Sequence, residues 1–598
     1  MSDLRKKCGL LTADALKKFA IEKNIELVVE ASDLILETPP NPDMGDVGIP
    51  MFSFAKIFKT SPTVIAKTVV KYIDKNQKVG DFSAVGPYVN IKFAKETAIN
   101  TVLEKIINEG AYYGQKTIDG SAALEGRRVM IEFSSPNTNK PLHLGHLRND
   151  ALGESCARIL KNQGADVYKV NNINDRGVHI CKSMLAYQLF HEKNNDTPES
   201  LGIKSDRFVG DCYVAFDTYA KEHPEAEKTV QEMLLAWENG DEKVHALWKK
   251  MNTWAIDGVQ KTYERTGISF DKIYYESETY LKGKEIILKG LHDDVFYTET
   301  DGSVWIDLSE INLDKKVLLR KDGTALYMTQ DIGLAVARHR DWDFNQLIYV
   351  VGSEQIYHFK VLFYILKKLG YDWAQRLYHL SYGMVNLPEG KMKSREGTVV
   401  DADDLIDELR DGALEEITSK GREKEVENAQ TVAEKVALGA LHYFLLQTTP
   451  SKDMIFNPKE SLSFNGNTGP YIQYMGARIS SIIKKAHVDA IKSARDIPEN
   501  DRKTAVSLLT NKTEWELIKL LSDFQKVLSR AAENLDPSAI ANYLYDVAKT
   551  FSRFYHDCPI LSAHDAFLIS ARLELAQCTL TVLQNGMDLI LIPFLETM

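Results

Sequence analysis

Hydrophobic and polar positions change their period twice between residues 125 and 175. The segment "RRVMIEFSS" is an apolar run typical of a buried strand, and "ADVYKVNNIND" predicts a second strand. Between them, "GHLRNDALGESCARILKNQG" repeats apolar or small residues at helical spacing and ends at Gly164; the stripe is Leu147, Ala151, Leu152, Ser155 and Ile159. The pattern predicts a β-α-β unit. Open α/β sheets bind ligands in the loop at the carboxyl end of such a first strand.

The first 112 residues predict a small α/β unit of their own. Ser61 followed by Pro62 is a typical helix start. The segment "AVGPYVNIKF" predicts a short strand after a Gly-Pro turn, and Gly110 is placed to end the next helix.

Charged, mostly helical sequence interrupts the α/β alternation at about residues 185–300 and indicates an insertion. The alternation then resumes and stops near residue 400, after which the pattern is helical to the end. We predict an α/β fold class with a small α/β N-terminal domain at 1–112, a catalytic domain at 125–400, a helical stem at 401–469 and an all-helical domain at 470–598.

Composition excludes several classes of protein. The chain has 598 residues and a net charge of −11, which argues weakly against a nucleic-acid partner unless a local basic face exists. The six cysteines include no C-x-x-C pair, so we expect neither a zinc ribbon nor a disulfide framework. We expect no membrane span, since no apolar run reaches about 18 residues, and the N-terminal segment lacks the features of a signal peptide. The expected compartment is the cytoplasm.

The segment "HLGH" places His143 and His146 around Gly145, where the first strand becomes a helix. A helix N-terminus offers unpaired N–H groups that suit phosphate, and a glycine lets the backbone approach a nucleotide closely. Both histidines can then donate N–H bonds that stabilise charge on an α-phosphate without moving a proton. The alternatives are a surface pair or a partial metal site, for which His179 is the one obvious further ligand.

A glycine-flanked basic loop, "GKMKSREG", spans residues 390–397 after the last predicted strand. Such a loop can close over phosphates and neutralise a leaving group. The alternative is a solvated basic turn.

The two motifs together resemble the HIGH and KMSKS signatures of class I aminoacyl-tRNA synthetases, whose catalytic domain is Rossmann-like. The longer run "IEFSSPNTNKPLHLGHLRN" resembles the arginyl-tRNA synthetase family, as do "NDRGVHICK", "TALYMTQDIGLA", "YVVGSEQIYHFKVLF" and "NTGPYIQYMGARI". The segment "GDVGIPMFSFAKIFKTSPTVIA" is similar to that family's additional N-terminal domain, which is associated with the tRNA D-loop. The resemblance covers nearly the whole chain.

The chain departs from the family pattern at two places. Ser394 stands where KMSKS has its second lysine, and the resemblance implies that Lys140 substitutes for it. Gly476 stands where the family more often has a histidine.

The resemblance implies an arginine–tRNA ligase that forms arginyl-adenylate from ATP and transfers arginine to the 2′-hydroxyl of the terminal adenosine of tRNA(Arg). A guanidinium has five N–H donors and stays charged, so its pocket should hold carboxylates. The family pattern implies guanidinium contacts at Glu276, Tyr327 and Asp331, although an N-terminal cap of a helix is an alternative role for Asp331. Further implied arginine contacts are Ser135, Asn137, Gln355 and Glu132, the last alternatively a surface acid at a strand end.

Catalysis on this reading is positioning plus charge stabilisation, with no covalent enzyme intermediate. The positive groups expected to act are His143, His146, Lys140, Lys391, Lys393 and Arg395. ATP would contact His143, Gly145, His146, Lys391, Met392 and Lys393. We expect Mg²⁺ to accompany ATP and expect no dedicated or structural metal site.

The resemblance also implies an anticodon-binding helix with Tyr471, Tyr474 and Arg478, because RNA loops are recognised by stacking and hydrogen bonds. The alternative for these side chains is an ordinary helix-pair core. The resemblance implies a monomer. No editing activity is expected, since a guanidinium offers enough distinct hydrogen bonds for selection. Other readings are a lysine-specific synthetase, a small adenylyltransferase with H-x-G-H, and a non-catalytic RNA-binding relative.

Overall fold

The computed structural model describes residues 1–115, 122–386, 388, 400–419 and 428–598. Its N-terminal domain, and the helix that leaves it, consist of α1 (Ser2–Glu22), β1 (Val47–Pro50), α2 (Ala55–Phe58), α3 (Pro62–Tyr72), β2 (Gly80–Val85), β3 (Tyr88–Phe93) and α4 (Lys95–Glu109). The three strands form an antiparallel sheet in the order β1-β3-β2, against which α3 packs. Ser61 caps α3 as predicted, accepting the N–H of Val64 at 3.4 Å, and Gly110 follows α4 with a φ of 52°.

The middle of the chain holds a second α/β arrangement. In chain order its elements are β4 (Arg128–Glu132), α5 (Leu144–Asn162), β5 (Asp166–Ile173), α6 (Val178–Phe190), α7 (Pro198–Leu201), α8 (Ser205–Glu222), α9 (Ala226–Glu238), α10 (Glu242–Thr266), β6 (Lys272–Tyr275), α11 (Glu276–Thr279), α12 (Lys282–His292), β7 (Tyr297–Thr298), β8 (Val304–Ile306), β9 (Lys316–Leu319), α13 (Tyr327–Asp341), β10 (Gln346–Gly352), α14 (Ile356–Lys368), β11 (Leu377–Tyr382) and β12 (Val385–Asn386).

Five parallel strands form the central sheet in the order β11-β10-β4-β5-β6. Strands β4 and β10 are buried along most of their length, because helices cover both faces of a parallel sheet. The β-α-β unit predicted from the sequence is β4-α5-β5. The order of the sheet brings the carboxyl ends of β4, β5, β6 and β10 to one edge.

The helical insertion occupies a shorter segment than the sequence suggested. Helices α6 to α10 lie between β5 and β6, but β6 itself belongs to the central sheet and lies inside the segment 185–300. Strand β6 is the four-residue segment "KIYY" between charged residues, too short for a strand period to be recognised.

Two glycines allow α12 and α13 to pack in backbone contact. A Cβ on Gly283 would overlap the carbonyl of Thr329, and a Cβ on Gly333 would overlap the backbone of Gly283. This approach draws the start of α12, just after α11, towards the first turns of α13.

The rest of the chain is nearly all helical, as predicted. Its elements are α15 (Ala402–Ser419), α16 (Ala429–Leu446), β13 (Met454–Ile455), α17 (Pro458–Ser461), α18 (Gly469–Val488), α19 (Glu499–Ser507), α20 (Lys512–Ser522), α21 (Phe524–Asn534), α22 (Ser538–Asp557) and α23 (Ala566–Leu589). One hydrophobic core runs from β4 and α5 into α18, α22 and α23.

Helix α23 is long and apolar enough to span a membrane, with a mean hydropathy of 1.4 over its most apolar window, contrary to the expectation that no such run exists. Of that window, 61% is buried inside the protein. It packs against α4, α18, α19 and α22, so its apolar surface is accounted for by the core.

Candidate active site at the carboxyl edge of the parallel sheet

Most of the predicted substrate residues lie just after the carboxyl ends of parallel strands. Glu132 ends β4, and Asn137 forms a bridge with Asn174, which follows β5. Glu276 follows β6, and Gln355 lies shortly after β10. Because these strands are parallel neighbours, residues far apart in the sequence meet at one edge of the sheet.

The two histidines of "HLGH" cap helix α5 reciprocally. His143 is the N-cap residue, and its Nδ1 accepts the backbone N–H of Gly145 at 3.1 Å. The backbone N–H of His143 donates to Nδ1 of His146, also at 3.1 Å. The ring centroids are 3.9 Å apart. Each Nδ1 accepts a hydrogen bond, so each neutral ring carries its hydrogen on Nε2, which is then free to donate.

Both imidazoles are neutral at pH 7. Burial, together with the nearby Lys140, lowers the pKa of His143 to about 4. Burial, with His143 and Lys140, lowers the pKa of His146 well below its ordinary value of 6.5. Desolvation thus penalises the imidazolium form of both rings, and the expectation that they act as positive groups at a bound phosphate stays a prediction. They remain placed as N–H donors.

Gly145 is required by the cap itself. A Cβ at this position would lie 3.0 Å from Cε1 and 3.1 Å from Nδ1 of His143. These distances are tighter than ordinary van der Waals contact, so a side chain would displace the His143 ring. The sequence analysis explained this glycine by the close approach of a nucleotide. The structure adds its contact with the His143 ring as a second reason.

The chain that follows the basic loop is joined to the "HLGH" segment. The N–H of Leu144 donates to the carbonyl of Val400 at 3.3 Å, and the N–H of Ala402 donates to the carbonyl of Leu142 at 3.0 Å. The segment that begins at residue 400 thus lies beside "HLGH", although the two are distant in sequence. Lys391, Met392, Lys393 and Arg395 lie outside the described residues.

A strained turn connects β4 to the helix cap. Ser134 and Ser135 both adopt left-handed backbone angles, with φ of 76° and 50°. The N–H of Ser134 donates to Oδ1 of Asn149 at 2.6 Å, and the N–H of Ser135 donates to Oδ1 of Asn171 at 2.9 Å. Non-glycine residues hold this conformation only when their surroundings fix it, as these buried amides do.

The turn rests on a buried polar layer. The hydroxyls of Ser134 and Tyr263 are 2.6 Å apart, and Asn149 also donates to Tyr382 at 3.0 Å. Beside them, burial raises the pKa of Asp150 to about 8, so this carboxyl is largely protonated at neutral pH. The layer fixes the backbone from which Ser135 and Asn137 reach the edge.

Lys140 lies between this turn and the histidines. Burial lowers the pKa of its ammonium, and its charge is close enough to lower the pKa of His143. Among the described residues no carboxylate contributes to the pKa shift of Lys140, whose one cause is burial. An anion at the cap would therefore meet a cation without a competing internal partner.

Glu132 is a buried acid and not a surface acid at a strand end. It is 7% exposed, and its Oε2 is paired with Nη1 of Arg338, which is 1% exposed. Its Oε1 accepts the hydroxyl hydrogen of Ser135 at 3.3 Å. The charge of Glu132 is already compensated inside the fold, so a substrate ammonium would be a second cationic partner.

Glu276 lies near other acidic side chains. Burial, opposed by Arg176 and reinforced by Asp175 and Asp331, raises the pKa of Glu276 to about 7. The influence of Asp331 places the two carboxylates predicted for the guanidinium in one electrostatic environment. A pocket that raises the pKa of an acid in this way is well suited to a cationic ligand.

Asp331 is not a helix cap, because it lies inside α13, whose N-cap is Leu326. Its Oδ2 is 2.6 Å from Nε2 of His358 on α14. Tyr327 begins α13 one turn earlier and is 74% exposed. Gln355 is exposed immediately before α14.

Four residues at this edge were missed by sequence reasoning. Asp175 accepts the N–H and hydroxyl hydrogens of Ser277, at 2.9 and 2.6 Å, and so fixes the helix that Glu276 begins. Arg176, Arg338 and His358 approach acids across the edge. Arg176 and His358 lie in the quoted segments "NDRGVHICK" and "YVVGSEQIYHFKVLF", and the signal that could have found His358 is its helical spacing from Gln355.

The residues predicted to bind the anticodon form a half-buried cluster on α18. Nη2 of Arg478 donates to the hydroxyl of Tyr474 at 2.8 Å, and the guanidinium lies over the rings of Tyr474 and Tyr555. The ring centroids of Tyr471 and Tyr545 are 5.8 Å apart. Part of each tyrosine supports the core and part remains accessible for stacking.

Gly476 is explained by packing. A Cβ there would lie 2.9 Å from Cε2 of Phe594. A larger side chain at this position would require the Phe594 ring to shift, so the departure from the family pattern is matched by Phe594.

Three family models match the chain: "tRNA synthetases class I (R), catalytic domain" at 111–458, "DALR anticodon binding domain" at 472–598 and "Arginyl tRNA synthetase N terminal domain" at 12–93. The chain is 61% identical to an arginine–tRNA ligase of Treponema denticola, with 100% of both chains covered. It is 55% identical to that of Treponema pallidum, covering 95% of this chain and 96% of the relative. The corresponding protein of Borrelia hermsii is 46% identical, with 100% of both chains covered.

Two solved structures share the fold over nearly the full length. The arginyl-tRNA synthetase of Thermus thermophilus matches with a TM-score of 0.76 and 26% identity, covering 98% of this chain and 99% of that one. The arginyl-tRNA synthetase of Plasmodium falciparum matches with a TM-score of 0.73, with 98% of each chain covered, and its 21% identity supports the fold alone.

Proposed function

This chain belongs to the arginyl-tRNA synthetase family, and on that premise we propose that it is an arginine–tRNA ligase that uses the edge described above as its active site. The arginine carboxylate attacks the α-phosphorus of ATP, giving arginyl-adenylate and pyrophosphate. The 2′-hydroxyl of the terminal adenosine of tRNA(Arg) then attacks the carbonyl and releases AMP. The observation that carries the proposal is that Glu276, directly after β6, and Asp331, on the contacting helix α13, lie close enough for Asp331 to raise the pKa of Glu276, at the sheet edge that also holds the "HLGH" cap.

Arginine is selected through its guanidinium. Five fixed N–H donors and a permanent charge match carboxylates better than any neutral side chain can. Burial and two neighbouring acids oppose the ionisation of Glu276. A guanidinium supplies the missing positive charge, so the bound state stabilises the ionised carboxylate.

The histidine cap stabilises the α-phosphate during the first step. Nε2–H groups of His143 and His146 donate to its oxygens at the N-terminus of α5, where the helix dipole favours negative charge. Burial favours the neutral form of both rings, so we assign them directed hydrogen bonds and assign the charge to Lys140. The loop at 390–397 would neutralise the leaving pyrophosphate, with Lys391, Lys393 and Arg395 as its cations.

The α-amino group of arginine is assigned to Ser135 and Asn137, with Glu132 as a charged neighbour and Gln355 completing the edge. The strained turn at Ser134 supports this assignment, since its amides are fixed by buried partners before any ligand arrives. Mg²⁺ arrives with ATP, whose phosphate oxygens are the ligands it prefers.

The C-terminal helices bind tRNA(Arg) through the cluster at Tyr471, Tyr474 and Arg478. Accessible tyrosine faces and a guanidinium suit unstacked bases of an RNA loop. Point variants test this better than deletion of residues 471–598, because α18 and α23 complete the core of the catalytic domain. We assign the protein to the cytoplasm as a monomer.

The test is ATP–pyrophosphate exchange with each of the twenty amino acids, run with and without total tRNA. The expected result is exchange with arginine and with none of the other nineteen amino acids. Exchange that appears only with tRNA would mean that bound RNA completes the first step. Exchange with lysine or another amino acid would refute the carboxylate pocket, and no exchange under either condition would refute the enzyme.

A further inference from the structure

The carboxylate of Asp331 has one protein partner among the described residues. Nε2 of His358 lies 2.6 Å from Oδ2 of Asp331, and both side chains are part-buried, at 24% and 37% exposure. Nε2 carries a hydrogen in the cation and in the matching neutral tautomer, so the ring can donate in either state. The bond fixes one oxygen of Asp331.

The other oxygen, Oδ1, accepts no hydrogen bond from the part of the chain that the structure describes. Asp331 also raises the pKa of Glu276, so its negative charge acts on the other carboxylate predicted to bind the guanidinium. A guanidinium binds best to a carboxylate that is already oriented, because a free side chain must lose rotamer freedom on binding.

We propose that His358 is a positioning residue for arginine recognition, holding the carboxylate of Asp331 in the orientation that receives the substrate guanidinium. This inference rests on the proposed function. His358 follows Gln355 at helical spacing, so the first turn of α14 supplies both a substrate contact and the support for another.

A purely structural link between α13 and α14 is the competing explanation. These helices already share a buried core that includes Ile332, Leu362 and Ile365, which holds them together without the ion pair. A structural link would change the stability of the protein. A positioning role would change the KM for arginine and leave the KM for ATP unaltered.

The test compares three variants in ATP–pyrophosphate exchange, with tRNA present. His358→Ala removes the donor, and His358→Asn shortens it so that the amide no longer reaches Asp331. His358→Gln places an amide N–H near the position of Nε2. We expect the first two to raise the KM for arginine about tenfold or more, the effect of losing a hydrogen bond to a charged group. In the Gln variant the KM for arginine should lie within about threefold of the wild-type value. The KM for ATP should stay within about twofold of the wild-type value in all three variants.

A matched control is His191→Ala in the insertion. Nδ1 of His191 lies 2.9 Å from Oδ2 of Asp196, with side-chain exposures of 26% and 21%, so the pair resembles His358–Asp331 but is on different elements. Its loss should leave the KM for arginine unchanged.

Two results would overturn the inference: a folded His358→Ala or His358→Asn enzyme with a normal KM for arginine, or equal effects on KM from His191→Ala. If the alanine variant does not fold, the contrast between Gln and Asn decides. Failure of the wild-type protein to use arginine at all would instead overturn the proposed function, so the two failures are distinguishable.

Discussion

Glu276 gives the sharpest quantitative prediction, because the same group opposes folding of the empty protein and supports binding of arginine. Its pKa is raised from an ordinary 4.5 to about 7, chiefly by burial. The unfolded chain ionises Glu276 above pH 4.5, whereas the folded protein keeps it protonated up to about pH 7. Its contribution to stability is therefore fully present below pH 4.5 and is lost as the pH rises through about 7.

The expected magnitude follows from the size of this change. The full pKa change corresponds to about 3 kcal/mol in the free energy of unfolding. Glu276 is part-exposed, so solvent screening reduces the expected effect to about 1–2 kcal/mol. Glu276→Gln has no charge to desolvate, so its gain in stability over the wild type should grow from near zero at about pH 4.5 to about this much at about pH 8.

Arginine binding should favour the wild type over Glu276→Gln, the opposite of the order in stability. Binding of a guanidinium favours ionised Glu276, so below pH 7 it must release a proton, and the affinity of the wild type for arginine should rise with pH up to about 7. The Gln variant should bind arginine at least about tenfold more weakly and release no proton from this site.

The assays are urea unfolding at several pH values and calorimetric titration of arginine in two buffers of different ionisation enthalpy. Glu278→Gln is the control, since Glu278 is an exposed acid on the same short helix. A stability difference that does not change with pH, or arginine binding at about pH 6 without proton release, would contradict the raised pKa of Glu276.

Three further predictions concern other parts of the molecule. His146→Ala should lower the rate of adenylate formation by about several hundred-fold in a rapid-quench assay, the scale of losing one preorganised donor; a folded variant with a near-normal rate would remove His146 from the mechanism. Gly333→Ala should lower the free energy of unfolding by about 1–3 kcal/mol, because its Cβ would overlap Gly283; an unchanged urea midpoint would contradict the close helix contact. Arg478→Gln should weaken tRNA binding about tenfold in a filter assay while leaving the KM for arginine unaltered; unchanged tRNA affinity would exclude the cluster with Tyr474 from RNA binding.

The local elements could be predicted because their causes are local. Ser61 and Pro62 mark the start of α3, and Gly110 follows the end of α4, since caps depend on residues within one helical turn. The strand–loop–helix around "HLGH" follows from a change of hydrophobic period. Strand β6 was not predicted, because its four residues are too few for a strand period to be recognised.

The charge states of the site could not be predicted from the sequence. His143 and His146 were expected to act as positive groups, whereas burial lowers the pKa of both imidazoles and favours their neutral form. A surface position at a strand end was one alternative for Glu132, but the side chain is buried against Arg338. Ionisation depends on burial and on neighbours, and neither is a property of the local sequence.

The family, the order of most elements and the residue types available for chemistry could be inferred from the sequence, since they follow from local patterns and from resemblance over the whole length. Which of those residues meet depends on the fold. Arg338 reaches Glu132, His358 reaches Asp331, and the segment after the basic loop returns to "HLGH", each contact made between elements distant in the chain. The physical reason is that parallel strands align their carboxyl ends whatever their separation in sequence, so one edge collects side chains that no local pattern connects.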